Sequence, residues 1–349
     1  MKAYVLHGIN QFQMEEKEKP VPKEGEVLVQ VMAAGICGSD IPRAYRTGAH
    51  VHPIVIGHEF SGKVVEVAAG ADASWLHKPV GVFPLIPCRN CGPCMDKQYE
   101  MCRHYDYLGS RRDGGFAEYV AVPCECLIEL PEGVSYEQAA MLEPMAVAVH
   151  AMRRVKATQD DRIVVCGLGT IGLFLAMFLK GAGMQHVYVI GNKEFQKQRV
   201  LSLGIPEEDY CDSRKQDVTA WLEERTGGKG ADVFFECVGK NETVLEALDL
   251  TAPAGKVMLV GNPHSDMELE KAVYWKILRN QLTVMGTWNS SFTGEAEDDW
   301  HYVLDMLAKG EIAPEHMITH RYGLAELEQG FHIMRDKSED YIKIMGVFS

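Results

Sequence analysis

Hydrophobic positions along the 349 residues follow two different periods. Over residues 26–31, EVLVQV, apolar and polar side chains alternate, after the breakers Pro20, Pro22 and Gly25. A period of two sends successive side chains to opposite faces, so this stretch reads as a half-buried strand. Residues 61–67 repeat the pattern, and residues 116–122 give a third such strand. From about Asp160 the alternation yields to short β-branched runs separated by longer helical stretches. Residues 162–166, 186–190, 231–236, 256–260 and 282–285 read as buried strands with helices between them. That succession predicts a parallel sheet covered by helices, an α/β domain placed after a β-rich one. Beyond Trp288 the alternation fades. Residues 299–309 and 324–335 read as helices, 342–347 as a closing strand, and the acidic run 295–299 as a solvated helix start. The expected division is 1–152, 153–290 and a C-terminal segment, 291–349, that folds back onto the first domain.

One run needs a decision. Residues 163–179 carry no charge and approach the length of a membrane span. Gly167, Gly169 and Gly172 interrupt it after a β-branched start, so strand, glycine turn and helix account for it better. The segment Gly167-Leu168-Gly169-Thr170-Ile171-Gly172 is then a G-x-G-x-x-G fingerprint between a strand and a helix. Such glycines allow a tight turn and close approach of a dinucleotide pyrophosphate to the helix N-terminus. At the end of the next strand a site for NAD usually places Asp or Glu against the ribose hydroxyls. Here Gly191-Asn192-Lys193 stands instead. Absence of the carboxylate, with a nearby lysine, favours NADP over NAD.

Four thiols occupy one short loop. Cys88, Cys91, Cys94 and Cys102 read C-x2-C-x2-C-x7-C, with Gly92 and Pro93 supplying turn chemistry. Soft ligands at such spacing suit a tetrahedral structural zinc. Cys37, His58 and Glu59 are further zinc ligands if the fold brings their two segments together. Glu143 beside Pro144 either favours the positive end of the helix that follows or adds a carboxylate to that metal.

Composition narrows the function. A formal charge of -14 argues against a nucleic-acid partner, which rests on Lys and Arg neutralising phosphates. The ten cysteines are no disulfide framework in a chain this long, and no charged-then-apolar leader opens the sequence. A reducing cytoplasm, with no membrane segment, is the expectation.

Taken together, Cys37-Gly38-Ser39-Asp40, Gly57-His58-Glu59, the four-cysteine lobe, Glu143-Pro144 and the glycine fingerprint resemble the zinc-dependent medium-chain alcohol dehydrogenase superfamily. Within it the chain is similar to the polyol branch, including sorbitol and galactitol-phosphate dehydrogenases. The resemblance implies a GroES-like catalytic domain joined to a doubly wound Rossmann domain, with the active site in the cleft between them. It implies a catalytic zinc on Cys37, His58 and Glu59, with Glu143 able to coordinate or exchange, and a structural zinc on the lobe cysteines. A homodimer or homotetramer is also implied. Pro42 departs from the sorbitol and threonine enzymes, which commonly carry His there, so a proton relay from that position is absent. The activity expected is hydride transfer between NAD(P) and a polyol, with Ser39 as first proton acceptor. A sugar-alcohol phosphate such as galactitol 1-phosphate would call on Arg43, Arg46, Arg111 or Arg112. Alternatives are an unphosphorylated polyol, a diol or L-threonine, or, in another class, a non-catalytic zinc-lobe binding protein or nucleotide sensor.

Overall fold

The computed structural model describes residues 1–263 and 265–348. It forms two compact units, Met1–Ala146 with Ser290–Ser349, and Val147–Asn289. The division lies inside the helix Leu142–Val155, a few residues earlier than the sequence suggests.

The first unit is organised on Glu26–Ile36, a strand buried over most of its eleven residues. Glu59–Val67 pairs with it antiparallel along one edge. The other edge is shared. Tyr119–Pro123 takes residues 26–30, and the chain's last strand, Lys343–Val347, takes residues 33–36. The core beneath is aromatic: Tyr4 stacks on Phe12 at 5.0 Å, and Phe12 and Phe116 both meet Phe331, at 4.5 and 5.5 Å. Phe116 itself lies ahead of the strand expected over 116–122, which begins at Tyr119.

The second unit holds six parallel strands in the order Tyr210–Asp212, His186–Gly191, Arg162–Cys166, Ala231–Glu236, Thr251–Leu259 and Thr283–Gly286. The order reverses beside Arg162–Cys166, as in a doubly wound Rossmann sheet, whose ligands bind at the carboxyl ends of the strands. The charge-free run resolves into the strand Arg162–Cys166 and the helix Thr170–Gly181. Among the described residues no helix is long and apolar enough to cross a membrane.

The acidic run meets expectation in part: residues 295–297 are exposed and a helix starts at Asp299. Asp298 and Asp299 are buried, not solvated. Asp298 accepts from the N–H groups of Thr293, Gly294 and His301, and Asp299 accepts from that of Ser291. Both carboxylates are spent on the otherwise unsatisfied donors of a loop and a helix start.

Candidate metal centres and nucleotide loop

The four lobe sulfurs converge. Cys88 follows the two-residue strand Leu85–Ile86, Cys91 precedes the short helix Gly92–Met95 that carries Cys94, and Cys102 closes the loop. Arg89 and Lys97 turn the chain with positive φ of 57° and 56°. Sulfur separations are 3.5 Å for Cys91–Cys94, 3.9 Å for Cys91–Cys102 and 4.0 Å for Cys88–Cys94. A tetrahedron with metal–sulfur bonds of about 2.3 Å has edges of about 3.8 Å, so the spacing suits one zinc ion and no disulfide. The thiols also disagree electrostatically. The backbone N–H groups of Arg103 and Cys94 draw Cys91 down to about 6, while burial and neighbouring thiols push Cys94 up to about 12. Sulfurs this close cannot all ionise without a cation among them.

Cys37, His58 and Glu59 form the second cluster, with one donor atom from each lying within 4.8 Å of the others. Strand pairing brings them together: Gly35 lies opposite Glu59, which puts the end of one strand against the start of the next. Position 35 must be glycine, because a Cβ there would collide with the Glu59 carboxylate and touch Lys343. His58 and Glu59 are both buried. A thiol, an imidazole and a carboxylate within such reach suit a zinc ion. Ser39 Oγ donates to Cys37 Sγ at 3.3 Å.

Three further residues shape this cluster. Asp40 is wholly buried; it accepts from the Cys37 N–H at 3.0 Å, lies 3.5 Å from His58 Nδ1, and pairs with Arg43. Burial alone would pull His58 down, but Asp40 and Cys37 outweigh it and hold the imidazole well above its usual range. Lys343, on the last strand, pairs with Glu59 Oε2 at 2.5 Å and donates to Ile36 O at 3.3 Å. Glu143 stands on the helix Leu142–Val155 and accepts from Tyr107 Oη at 3.2 Å. Burial raises its carboxyl to about 7, with Glu59 adding to the effect and His58 and Lys343 opposing it.

In the second unit the glycine fingerprint takes the expected shape. Gly167 has φ +95°, and a Cβ there would lie 2.5 Å from Val238. Gly172 packs against the Gly167 carbonyl, which leaves no room for a side chain. Nothing lies near a Cβ built on Gly169, the residue capping Thr170–Gly181, so Thr170 and Ile171 begin the helix beside open space. Leu168 is buried, and its carbonyl accepts from Gln196. Position 191 is crowded: a Cβ would meet Leu168, Gln196 and Tyr210 at 2.9–3.0 Å. The missing carboxylate therefore has a packing reason. Asn192 donates its N–H to Gln196, and the Lys193 ammonium lies 5.3 Å from the centre of the Phe195 ring. On the adjacent strand Asp212 faces Gly191 and is held below the usual carboxylate range, first by Arg214 and also by Lys215.

Comparison with known proteins settles the family. Residues 23–132 match the alcohol dehydrogenase GroES-like domain and residues 170–309 the zinc-binding dehydrogenase domain. Galactitol 1-phosphate 5-dehydrogenase of Escherichia coli K12 is 32% identical over 305 residues, 86% of each chain. The chain belongs to the zinc-dependent medium-chain alcohol dehydrogenases. A sorbitol dehydrogenase of Halalkalibacterium halodurans is 31% identical over 99% of this chain and 98% of its own. The crystal structure of galactitol-1-phosphate dehydrogenase from E. coli superposes with a TM-score of 0.91 at 30% identity, covering 99% and 100% of the two chains. A zinc-binding dehydrogenase from Sinorhizobium meliloti, bound to NADP, gives 0.89 at 26% identity over 99% and 98%.

In this alcohol dehydrogenase the four candidate arginines have separate fates. Arg43 is tied to Asp40, and Arg112 to Glu26 at 2.5 Å and Asp106 at 3.7 Å. Arg46 is exposed on the turn Arg43–Thr47. Arg111 lies over the Tyr105 ring, 4.7 Å from its centre. Sequence reasoning named Asp40 in a motif but gave it no role, and missed Tyr107, Lys343 and Arg214. Asp40 had a signal, three residues from a ligand cysteine; Lys343 had none, being 284 residues from Glu59.

Proposed function

We propose that the protein interconverts a secondary alcohol of a polyol and its ketone, with zinc held by Cys37, His58 and Glu59 and with Glu143 alongside. The observation that carries this reading is the convergence of three zinc-type donors beside the Ser39 hydroxyl. When bound, the metal supplies Lewis acidity and the nicotinamide a hydride acceptor. Ser39 Oγ would accept the proton released by the alcohol while passing its own hydroxyl proton on towards solvent, so that it acts as a relay. Asp40 orients the imidazole of His58 and the backbone at Cys37, as a carboxylate behind a metal-binding histidine does. Tyr107 holds Glu143 by its hydroxyl, and Lys343 offsets the charge of Glu59. The lobe cysteines carry a second, structural zinc.

The finer substrate is a sugar-alcohol phosphate such as galactitol 1-phosphate, supported by similarity to an enzyme of that name and by an uncommitted arginine near the cluster. NADP is the preferred cofactor: position 191 carries no carboxylate, and Lys193, Arg214 and Lys215 lie just beyond the ends of two neighbouring strands. Ten free thiols suit a reducing compartment.

Initial rates of the zinc-loaded protein test the reading. NAD and NADP are crossed with galactitol 1-phosphate, free sorbitol, butanediol and L-threonine. Fastest turnover of the phosphate ester with NADP is expected; turnover of L-threonine or butanediol alone defeats the polyol reading. Ser39→Ala is expected to lower kcat about 10²–10⁴-fold, the usual span for a lost proton-transfer group, with zinc content unchanged. Undiminished kcat removes Ser39 from the proton path.

Self-association is also proposed. Thr283–Gly286 pairs with Thr251–Leu259 on one side alone among the described residues. Val284 on this strand and Trp288 just after it are exposed, the latter by 57%, and the preceding helix Lys271–Arg279 exposes Tyr274, Leu278 and Trp275, the last by 54%. An open strand edge with apolar neighbours suits the same edge of a second copy. Native mass spectrometry is expected to show a dimer or tetramer that Val284→Pro dissociates; an oligomer unmoved by Val284→Pro places the interface elsewhere.

A further inference from the structure

We propose that Arg111 is the residue that anchors an oxyanionic terminus of the substrate, a phosphate monoester or a carboxylate carried on the polyol chain. The inference rests on the dehydrogenase reading and adds the group that recognises charge.

Among the four arginines, Arg111 alone combines partial burial with an uncommitted charge. Its Nε is buried without a hydrogen-bond partner, and no carboxylate lies within ion-pair distance of its guanidinium among the described residues. Its neighbour Arg112 has two carboxylates. In a chain with a formal charge of -14, an unpaired, partly buried guanidinium is unusual. A buried donor without a partner and a charge without a counter-ion both cost free energy, and an incoming anion offsets that cost.

Placement supports the assignment. The N–H groups of Arg111 and Arg112 both donate to the Tyr107 carbonyl, at 2.9 and 3.1 Å, so the turn that carries Arg111 is closed on Tyr107. The Arg111 guanidinium lies over Tyr105. Tyr105 meets Tyr107 edge-on at 6.1 Å, and Tyr107 meets His58 at 5.9 Å while donating to Glu143. The cation therefore sits two aromatic rings from the Cys37, His58 and Glu59 cluster, on a continuous run of contacts. Stacking covers one face of the planar group and fixes its orientation. The terminal Nη donors remain for a two-point contact with paired oxygens, the geometry phosphate and carboxylate share. An alcohol held at the metal cluster by one carbon and at Arg111 by its terminus would be fixed at two separated points, which selects chain length as well as charge.

The experiment uses the zinc-loaded full chain as wild type, Arg111→Met, Arg111→Lys and Arg46→Met. Each is assayed on galactitol 1-phosphate, galactitol and an aldonate. For Arg111→Met, KM for the preferred anionic substrate is expected to rise about 10- to 100-fold, the loss of a charge-assisted hydrogen bond or two. Turnover number should change little, because an anchor remote from the reacting carbon contributes uniform binding. Arg111→Lys should recover part of the loss by keeping the charge without the fork. Dependence seen with the phosphate ester identifies a phosphate subsite, and dependence seen with the aldonate a carboxylate subsite. A second readout needs no turnover: inorganic phosphate should raise the melting temperature of the wild type more than that of Arg111→Met. If the wild type oxidises no alcohol, the dehydrogenase reading fails while the melting comparison still decides about Arg111. An unchanged ratio of kcat/KM for phosphorylated over free galactitol in Arg111→Met overturns the proposal, as does a loss that appears in Arg46→Met instead.

Discussion

Cys37→Ala will lower kcat by about three orders of magnitude or more and take the bound zinc from two ions per chain to one. The thiol is the soft member of a set whose other donors are an imidazole nitrogen and a carboxylate oxygen, all within 4.8 Å. Removing it leaves one imidazole and carboxylates, a set without the soft ligand and with the hard oxygen donors that zinc holds less firmly. Lewis-acid assistance is worth several kcal/mol, and each 1.36 kcal/mol is tenfold in rate, which sets the size of the loss. Elemental analysis separates this cluster from the lobe. Cys94→Ala should also lose one zinc, but its main cost should be stability, because that buried sulfur lies among the other three lobe thiols and far from Cys37, His58 and Glu59 in the chain. Two zinc ions retained by Cys37→Ala would mean that the thiol is no ligand, whatever happened to the rate.

Local pattern made most of the second unit legible. The strands Arg162–Cys166 and Ala231–Glu236 begin and end where the apolar runs do, because parallel strands buried on both faces leave a continuous hydrophobic signature. The lobe was legible for a different reason: its four ligands lie within 15 residues, so spacing alone carries the geometry. Cys37, His58 and Glu59 were suggested by residue type and family resemblance, but their meeting depends on antiparallel pairing between two strands. The electrostatic setting was not legible. Acidic residues 295–299 look like a solvated face, yet Asp298 and Asp299 are consumed by backbone donors that only the folded loop presents. Gly191 looks like a lost carboxylate; the crowding by Leu168, Gln196 and Tyr210 that a side chain there would meet comes from three separate places in the chain. Arg43, Arg111 and Arg112 are equivalent as letters and differ entirely in the carboxylates that reach them.

Lys343→Met will destabilise the metal-free protein by about 3–5 kcal/mol, the usual cost of breaking a buried pair by removing one partner. Lys343 is 2% and Glu59 1% exposed, and their 2.5 Å contact joins the last strand to the start of Glu59–Val67. Without the ammonium, the Glu59 carboxylate is left buried and has lost its partner. Glu59→Gln with Lys343→Met removes both charges and should be markedly more stable than the single Lys343→Met variant, so the two substitutions will not add. Zinc changes the balance. If Glu59 is a ligand, the metal neutralises the same carboxylate, and the penalty for Lys343→Met should shrink in the zinc-loaded protein. Linkage then requires the converse: zinc must bind Lys343→Met more tightly than wild type, because metal binding now relieves an uncompensated charge. Urea unfolding with and without zinc, joined to a competitive chelator titration, measures both sides. Equal penalties in the two states, with no gain in zinc affinity, would show that the metal does not reach Glu59 and would leave Cys37, His58 and Glu143 as the ligand set.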